Sequence, residues 1–294
     1  MPRSPYRPAR LRRAFFRGSD AVRAGLLTPD QLRGQAWRKL YRDVYVDAAV
    51  PVSYALRCRA ARLILPGGGA LTGVSAACLD GVPIGEPDDL VHVIAPSGTR
   101  WERRGCRLTR TPYLPADHLV PGELPRTIRL RTAWEIASAR NVLEAVAALN
   151  VVFRHQRPSR RAMDPWVAAD PESPAARAID LADPLAESPQ ESRSRVLLVS
   201  AGFPRPTSQY ELHRAGRFVA RFDLAWPEAR VAVEYEGEVH AERIGRDRMR
   251  LNRIHDAGWE VFFLTKEQLR EPARFRIFCD QLRRALARNR AYDK

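Results

Sequence analysis

The chain lacks the features that would assign it to several common classes. Its four cysteines, Cys58, Cys78, Cys106 and Cys279, are scattered, with no Cys-x-x-Cys pair. That spacing argues against a disulfide framework or a zinc knuckle and for buried thiols in a reducing cytoplasm. No apolar run approaches the ~18 residues that cross a bilayer. The first 18 residues start basic with no apolar stretch behind them, so an ordinary secretory signal is not expected. Gly67-Gly68-Gly69 has no following Gly-Lys-Ser/Thr, which leaves a plain turn rather than a phosphate loop. Lysine is almost missing: Lys39, Lys266 and Lys294 stand among 49 basic residues, and the rest are arginine. No internal repeat is visible.

What is present is positive charge. Against 34 acidic residues the 294-residue chain carries +15, with a pI of about 10.5. Such an excess favours a polyanionic partner, nucleic acid first and an anionic membrane surface second. Apolar residues make up 45%, enough for a sizeable core, and the length suits two modules with a connector. The charge is unevenly divided. Residues 187–294 hold 21 basic and 16 acidic side chains, a net +5, and the remaining +10 lies in residues 1–186. Six arginines and no acid fall in residues 1–17, either a solvated tail or a nucleic-acid-binding arm.

Local signals divide the chain into four parts. Residues 1–60 read as a basic arm plus a small winged-helix-like unit. Thr28-Pro29-Asp30-Gln31 starts a short helix with a capping box, and Trp37 to Val46 alternates like a strand. Residues 61–156 read as a middle α+β region, with helices expected over 51–65 and 134–154. Residues 157–187 hold five prolines, with a sixth at Pro189, and read as a linker with perhaps one short helical turn. Residues 188–294 carry the chemistry. A helix capped by Ser188 stops at Gly202, and Thr207–His213, Arg217–Trp226 and Val231–Glu236 form a meander. A helix follows over roughly 242–257, then a strand at 259–265 and a helix at 272–290.

The last hairpin of the meander has a consequence. A turn centred between Glu228 and Ala229 sets Asp223 opposite Glu234, and period two puts Glu236 on the same face. Opposed residues have Cβ atoms about 4.5–5.5 Å apart, so the two carboxylates repel. A divalent cation would remove the conflict, since oxygen ligands of this kind suit it. The competing reading is a solvated polar sheet face. Glu191 is explained equally by a Ser-x-x-Glu capping box, His240 alone by a surface or core position, and the helix arginines by a solubilising face.

Two resemblances extend this reading. Gly25-Leu26-Leu27-Thr28, Trp37-Arg38-Lys39-Leu40, Tyr41-Arg42-Asp43-Val44-Tyr45-Val46 and Leu71–Ala77 resemble the N-terminal and middle regions of AbiEi-type antitoxins, the DNA-binding partners in type IV toxin–antitoxin systems. That family usually has Gly where this chain has Asp43. Glu191-Ser192-Arg193, Arg221-Phe222-Asp223, Val233-Glu234-Tyr235-Glu236-Gly237, His240, Arg246-Asp247-Arg248 and Gly258-Trp259-Glu260-Val261 resemble the domain related to very-short-patch repair endonucleases. That domain belongs to the restriction-endonuclease-like superfamily, and the likeness covers about residues 188–272.

The second resemblance implies a mixed sheet of three to four strands flanked by helices, and hydrolysis of DNA phosphodiesters with Mg²⁺ or Mn²⁺. By it, Asp223 and Glu234 are metal ligands, Glu191 approaches the metal, and His240 and Glu236 handle the proton. Glu236 stands where the superfamily usually has Lys. The basic residues assigned to DNA are Arg38, Lys39 and Arg42 in front and Arg246 and Arg250 behind. The alternative expectation is a non-catalytic DNA-binding regulator or antitoxin, with a toxin protein as a possible partner. No membrane association is expected, and the cytoplasm is the expected location.

Overall fold

A computed structural model describes residues 6–12, 14–112, 119–120, 122, 124–236 and 244–290, without the side chains of 244–248 and 289–290. The fold is mixed α/β and divides into two compact units, Met1–Ile136 with His155–Trp166, and Ala137–Arg154 with Val167–Lys294. No helix among the described residues is long and apolar enough to cross a membrane.

The first unit begins with β1 (Phe15–Arg17), α1 (Gly18–Arg23), α2 (Pro29–Arg33), β2 (Trp37–Tyr41) and β3 (Val44–Asp47). The Gln31 N–H donates to Thr28 Oγ1 at 3.2 Å and the Thr28 N–H to Gln31 Oε1 at 2.8 Å, so the capping box starts α2 as its sequence directs. The alternating run over Trp37–Val46 is not one strand. It folds back at Arg42-Asp43 into an antiparallel hairpin, and β1 pairs on the far side of β3. Asp43 makes the reversal by taking φ +63, a left-handed conformation that Asp tolerates when its side chain is locally bonded. Its carboxylate accepts from the Ser19 N–H at 2.8 Å and the Ser19 hydroxyl at 2.6 Å.

The unit continues with α3 (Tyr54–Ala61), β4 (Ala70–Leu71), α4 (Gly73–Leu79), β5 (Val91–Pro96), β6 (Cys106–Thr111), β7 (Leu119–Val120), β8 (Arg126–Thr127) and α5 (Arg129–Ala137). Its second sheet runs β6-β5-β4-β8-β7, with β5–β6 and β4–β8 parallel. Leu71, Val91 and Val93 of this sheet pack with Tyr54 and Cys58 of α3. Burial pushes the Cys58 thiol up to about 12, which makes it a small inert core residue.

The second unit adds α6 (Val142–Gln156), α7 (Asp164–Ala169), α8 (Pro174–Leu181), α9 (Pro189–Ser200), β9 (Thr207–Arg214), β10 (Arg217–Trp226), β11 (Val231–Glu236), α10 (Ile244–Asp256), β12 (Glu260–Thr265), α11 (Lys266–Arg270) and α12 (Pro272–Arg290). The helix expected over 134–154 is two helices. Asn141 Oδ1 accepts from the Leu143 and Glu144 N–H groups at 3.1 and 3.3 Å, which caps a fresh start. The Pro-rich stretch 157–187 is also no bare linker. Pro174 sits in the first turn of α8 behind the cap Ser173, and Ala175, Ala178, Ile179 and Leu181 are buried. Pro165 and Pro174, which read as breakers there, sit in the first turns of α7 and α8, where an N–H has no intrahelical partner to lose.

The sheet order is β12-β11-β10-β9, antiparallel except for the parallel β11–β12 pair. Leu224, Trp226, Val231, Val233 and Leu264 pack with Leu198 of α9 and with Phe278, Leu282 and Leu286 of α12. Phe222, Ala225 and Ala232 pack with Ile254 of α10 and with Trp259. Helices thus cover both faces. Removing these apolar side chains from water, at about 25 cal/mol per Å², is what holds the sheet in place.

Candidate active site

The β10–β11 register is the one the turn dictates: Leu224 faces Val233, Ala225 faces Ala232 and Trp226 faces Val231. One step further Asp223 comes beside Glu234. There the Tyr235 N–H donates to Asp223 Oδ2 at 2.9 Å. The alternation of β10 also breaks at this point. Phe222 and Leu224, two residues apart, join opposite cores. On β9, Phe222 pairs with Tyr210 and Leu224 with Ser208, and Gln209 between them holds a left-handed φ of +52. A non-glycine residue there costs on the order of 1 kcal/mol, and such strain concentrates at functional positions.

Glu191 enters from the first turn of α9 and is 9% exposed. Its N–H donates to Ser188 Oγ at 3.1 Å, as a capping residue's should. Its carboxylate does not complete the expected box on Ser188. Oε2 instead accepts from the Glu187 N–H at 2.8 Å and from Gln209 Nε2 at 2.9 Å. The strained Gln209 therefore directs its amide at Glu191.

Asp223 feels these neighbours. Burial pushes its carboxyl up to about 6; the Tyr235 N–H works against this, and the charges of Glu191, Glu234 and Glu187 add to it. Glu234 already has a cation. Arg250 on α10 donates Nη1 to Glu234 Oε2 at 3.0 Å and Nη2 to Oε1, and also reaches the Arg221 carbonyl at 3.3 Å. A bidentate guanidinium is the strongest partner a carboxylate finds in a side chain. Arg221 in turn pairs with Glu187 at 2.9 Å.

The residues expected from sequence are thus distributed as follows. Glu191, Asp223 and Glu234 come together. Glu236 lies exposed at the end of β11. His240 falls outside the described residues, and Arg246 lies on α10 where side chains are not described. Arg250, assigned to DNA, pairs with Glu234 in this structure. Arg38, Lys39 and Arg42 are exposed in the first unit. Sequence reasoning missed Gln209, Glu187 and Arg221, whose roles arise from strand register and strain that no local pattern announces.

Among the described residues no group of three or more His, Cys, Asp or Glu side chains is placed to hold a metal. The chemistry of the cluster nonetheless suits a hard cation. Its donors are carboxylate oxygens, and Asp223 Oδ1 has no hydrogen-bond donor among the described residues. The negative charge on Asp223 is opposed by its neighbours rather than balanced by them. Full engagement of Glu234 would require Arg250 to give way.

Comparison with known proteins adds little beyond kinship. No family model matches the chain. Two curated proteins from two strains of Mycobacterium tuberculosis, each described as uncharacterized, are 33% identical over 181 residues, covering 59% of this chain and 63% of theirs. The chain therefore spans less than two thirds of the relatives it matches. The crystal structure of the RV2827C protein from Mycobacterium tuberculosis is similar at a TM-score of 0.40 and 17% identity, over 69% of this chain and 84% of that one.

Proposed function

We propose that the protein is a metal-dependent DNA endonuclease, with a restriction-endonuclease-like catalytic domain in the second unit and a winged-helix, antitoxin-like DNA-binding module in the first. The observation that carries the reading is Asp223. Its carboxylate is half-buried beside Glu191 and Glu234 and pushed up to about 6. A carboxyl raised by burial and by neighbouring acids is a common arrangement at functional sites. The four-stranded mixed sheet with helices on both faces supports the fold assignment. The two short helices between β1 and the β2–β3 hairpin, which with β1 makes a three-stranded sheet, support the winged helix.

Asp223, Glu234 and Glu191 would hold Mg²⁺ or Mn²⁺, which supplies positive charge to a scissile phosphate. Glu236 accepts the proton of the attacking water, or His240 does so by the resemblance. Water oxygen bonds to phosphorus as the bridging P–O bond breaks, and the departing oxygen takes a proton from solvent. Arg250, released from Glu234, then has a phosphate to bind in its place.

A second reading is a non-catalytic DNA-binding regulator, with or without a toxin partner. Two observations favour it: Arg250 occupies both oxygens of Glu234, and Glu236 replaces the usual Lys. Plasmid and linear DNA incubated with purified protein, with Mg²⁺ or Mn²⁺ and with chelator, separate the two. The nuclease reading expects metal-dependent nicking that Asp223→Ala and Glu234→Ala each abolish. Activity surviving in both variants sinks the site. No cleavage with any metal, alongside salt-sensitive gel shifts, establishes the regulator.

A further inference from the structure

The first unit contains a groove of about 890 Å³ lined by two basic segments far apart in sequence, together with Val52, Arg57 and the 87–90 stretch. Arg38, Lys39 and Arg42 stand on β2 and its turn. Arg103 and Arg104 stand on the loop between β5 and β6. A second concavity, of about 520 Å³, shares Arg42 and Arg103 with the first and adds Arg100. The two form one continuous basic surface.

Its charge is not internally balanced. Among the described residues none of these six cations forms an ion pair with a carboxylate. Elsewhere on the chain Arg23, Arg193, Arg205, Arg221 and Arg288 all do. Of the acids lining the two hollows, Asp43 is engaged by Ser19 and Arg17, which leaves Asp88 to face the cations. Like charges held together repel, and a polyanion relieves that repulsion while releasing its own counterions.

The loop that carries Arg100, Arg103 and Arg104 is fixed at both ends and in the middle. The Ser97 N–H donates to the Thr111 carbonyl at 2.9 Å, Trp101 Nε1 to the Ile64 carbonyl at 2.8 Å, and Arg57 Nη2 to the Gly105 carbonyl at 3.1 Å. Gly105 has φ +80, and a Cβ there would lie 3.0 Å from Arg57 Nη2, so this position needs glycine. Ordering is therefore already accomplished before a ligand arrives. The aromatic side chains that line the two hollows are committed as well. Tyr41 is buried with its hydroxyl on the Arg57 carbonyl, and the Arg103 guanidinium lies 5.8 Å over the Trp101 ring. Open rings that could stack unpaired bases are what a single-strand binder uses.

We propose that this groove is a preformed site for the phosphate backbone of duplex nucleic acid, to which the β5–β6 loop contributes Arg100, Arg103 and Arg104 alongside the Arg38-Lys39-Arg42 hairpin. It rests on reading the first unit as the nucleic-acid-holding part. It does not depend on catalysis by the second.

The test is anisotropy of a short labelled duplex over a range of salt, in chelator, on full-length protein carrying Asp223→Ala so that cleavage plays no part. Replacing Arg100, Arg103 and Arg104 together with Ala lowers the slope of log K against log salt by about 2 to 3, at roughly 0.9 per phosphate. Affinity falls at least tenfold. Because Arg103 supports Trp101, the milder pair Arg100→Gln with Arg104→Gln is measured too and lowers the slope by about 2. Arg283→Ala, in the other unit, leaves it unchanged. An unaltered slope in the Gln pair overturns the proposal, as does tighter binding of a single strand or an acidic peptide than of the duplex. Loss of duplex binding with nicking never observed leaves the groove standing and removes only the nuclease.

Discussion

Asp223→Asn isolates the electrostatics of the acidic cluster. The carboxyl titrates near 3.8 when free and near 6 in the folded chain. The folded state therefore holds the proton more tightly. Stability from this group is fully present below about pH 3.8 and is lost as pH rises through about 6. At 1.36 kcal/mol per unit of pKa the loss at pH 8 is at most about 3 kcal/mol. Solvent reaches part of the carboxylate, and screening reduces this to about 2 kcal/mol. Asparagine keeps an oxygen for the Tyr235 N–H and removes the charge. The variant is expected to be more stable than wild type at pH 8, by about 4–8 °C in melting temperature for a unit of this size. The advantage should vanish near pH 4. Mg²⁺ should raise the wild-type melting temperature at pH 8 and leave the variant's nearly unmoved. Differential scanning calorimetry at pH 4, 6 and 8, with and without Mg²⁺, makes the comparison. An Asn variant no more stable than wild type at pH 8, or a difference independent of pH, refutes the reasoning.

Arg250→Ala leaves the Glu234 carboxylate without its guanidinium beside Asp223 and is expected to cost about 1–3 kcal/mol, read from the urea midpoint. Added Mg²⁺ should restore more stability to this variant than to wild type; an equal response means that Arg250 and the metal do not share Glu234. At the β2–β3 turn, Asp43→Gly should be tolerated better than Asp43→Ala. Glycine adopts φ +63 freely, whereas alanine both loses the Ser19 bonds and carries a strain of about 1–2 kcal/mol. Thermal melts give the order, and equal melting temperatures would mean that the left-handed conformation is not retained.

Sequence alone determined what is set within a few residues. The caps at Thr28 and Ser188 and the turn at Ala215-Gly216 follow from side chains bonding their own backbone or from positive φ. The β10–β11 register follows from the turn between the strands, and it brings Asp223 beside Glu234 without any knowledge of the rest of the fold. Local reading failed where one pattern serves two structures. Alternation over Trp37–Val46 fits a strand and a hairpin alike, and a first-turn proline looks like a breaker.

The tertiary structure decided which charges meet. That Arg250 closes on Glu234, that Gln209 bends into a left-handed conformation toward Glu191, and that Arg103 joins Arg42 bring together residues 16 to 61 positions apart. Charge is visible in a sequence, but its partner is fixed only when packing brings two surfaces within a few ångströms. The +15 of this chain acquires meaning there, as an acidic cluster with its own counter-cation in one unit and an unbalanced basic groove in the other.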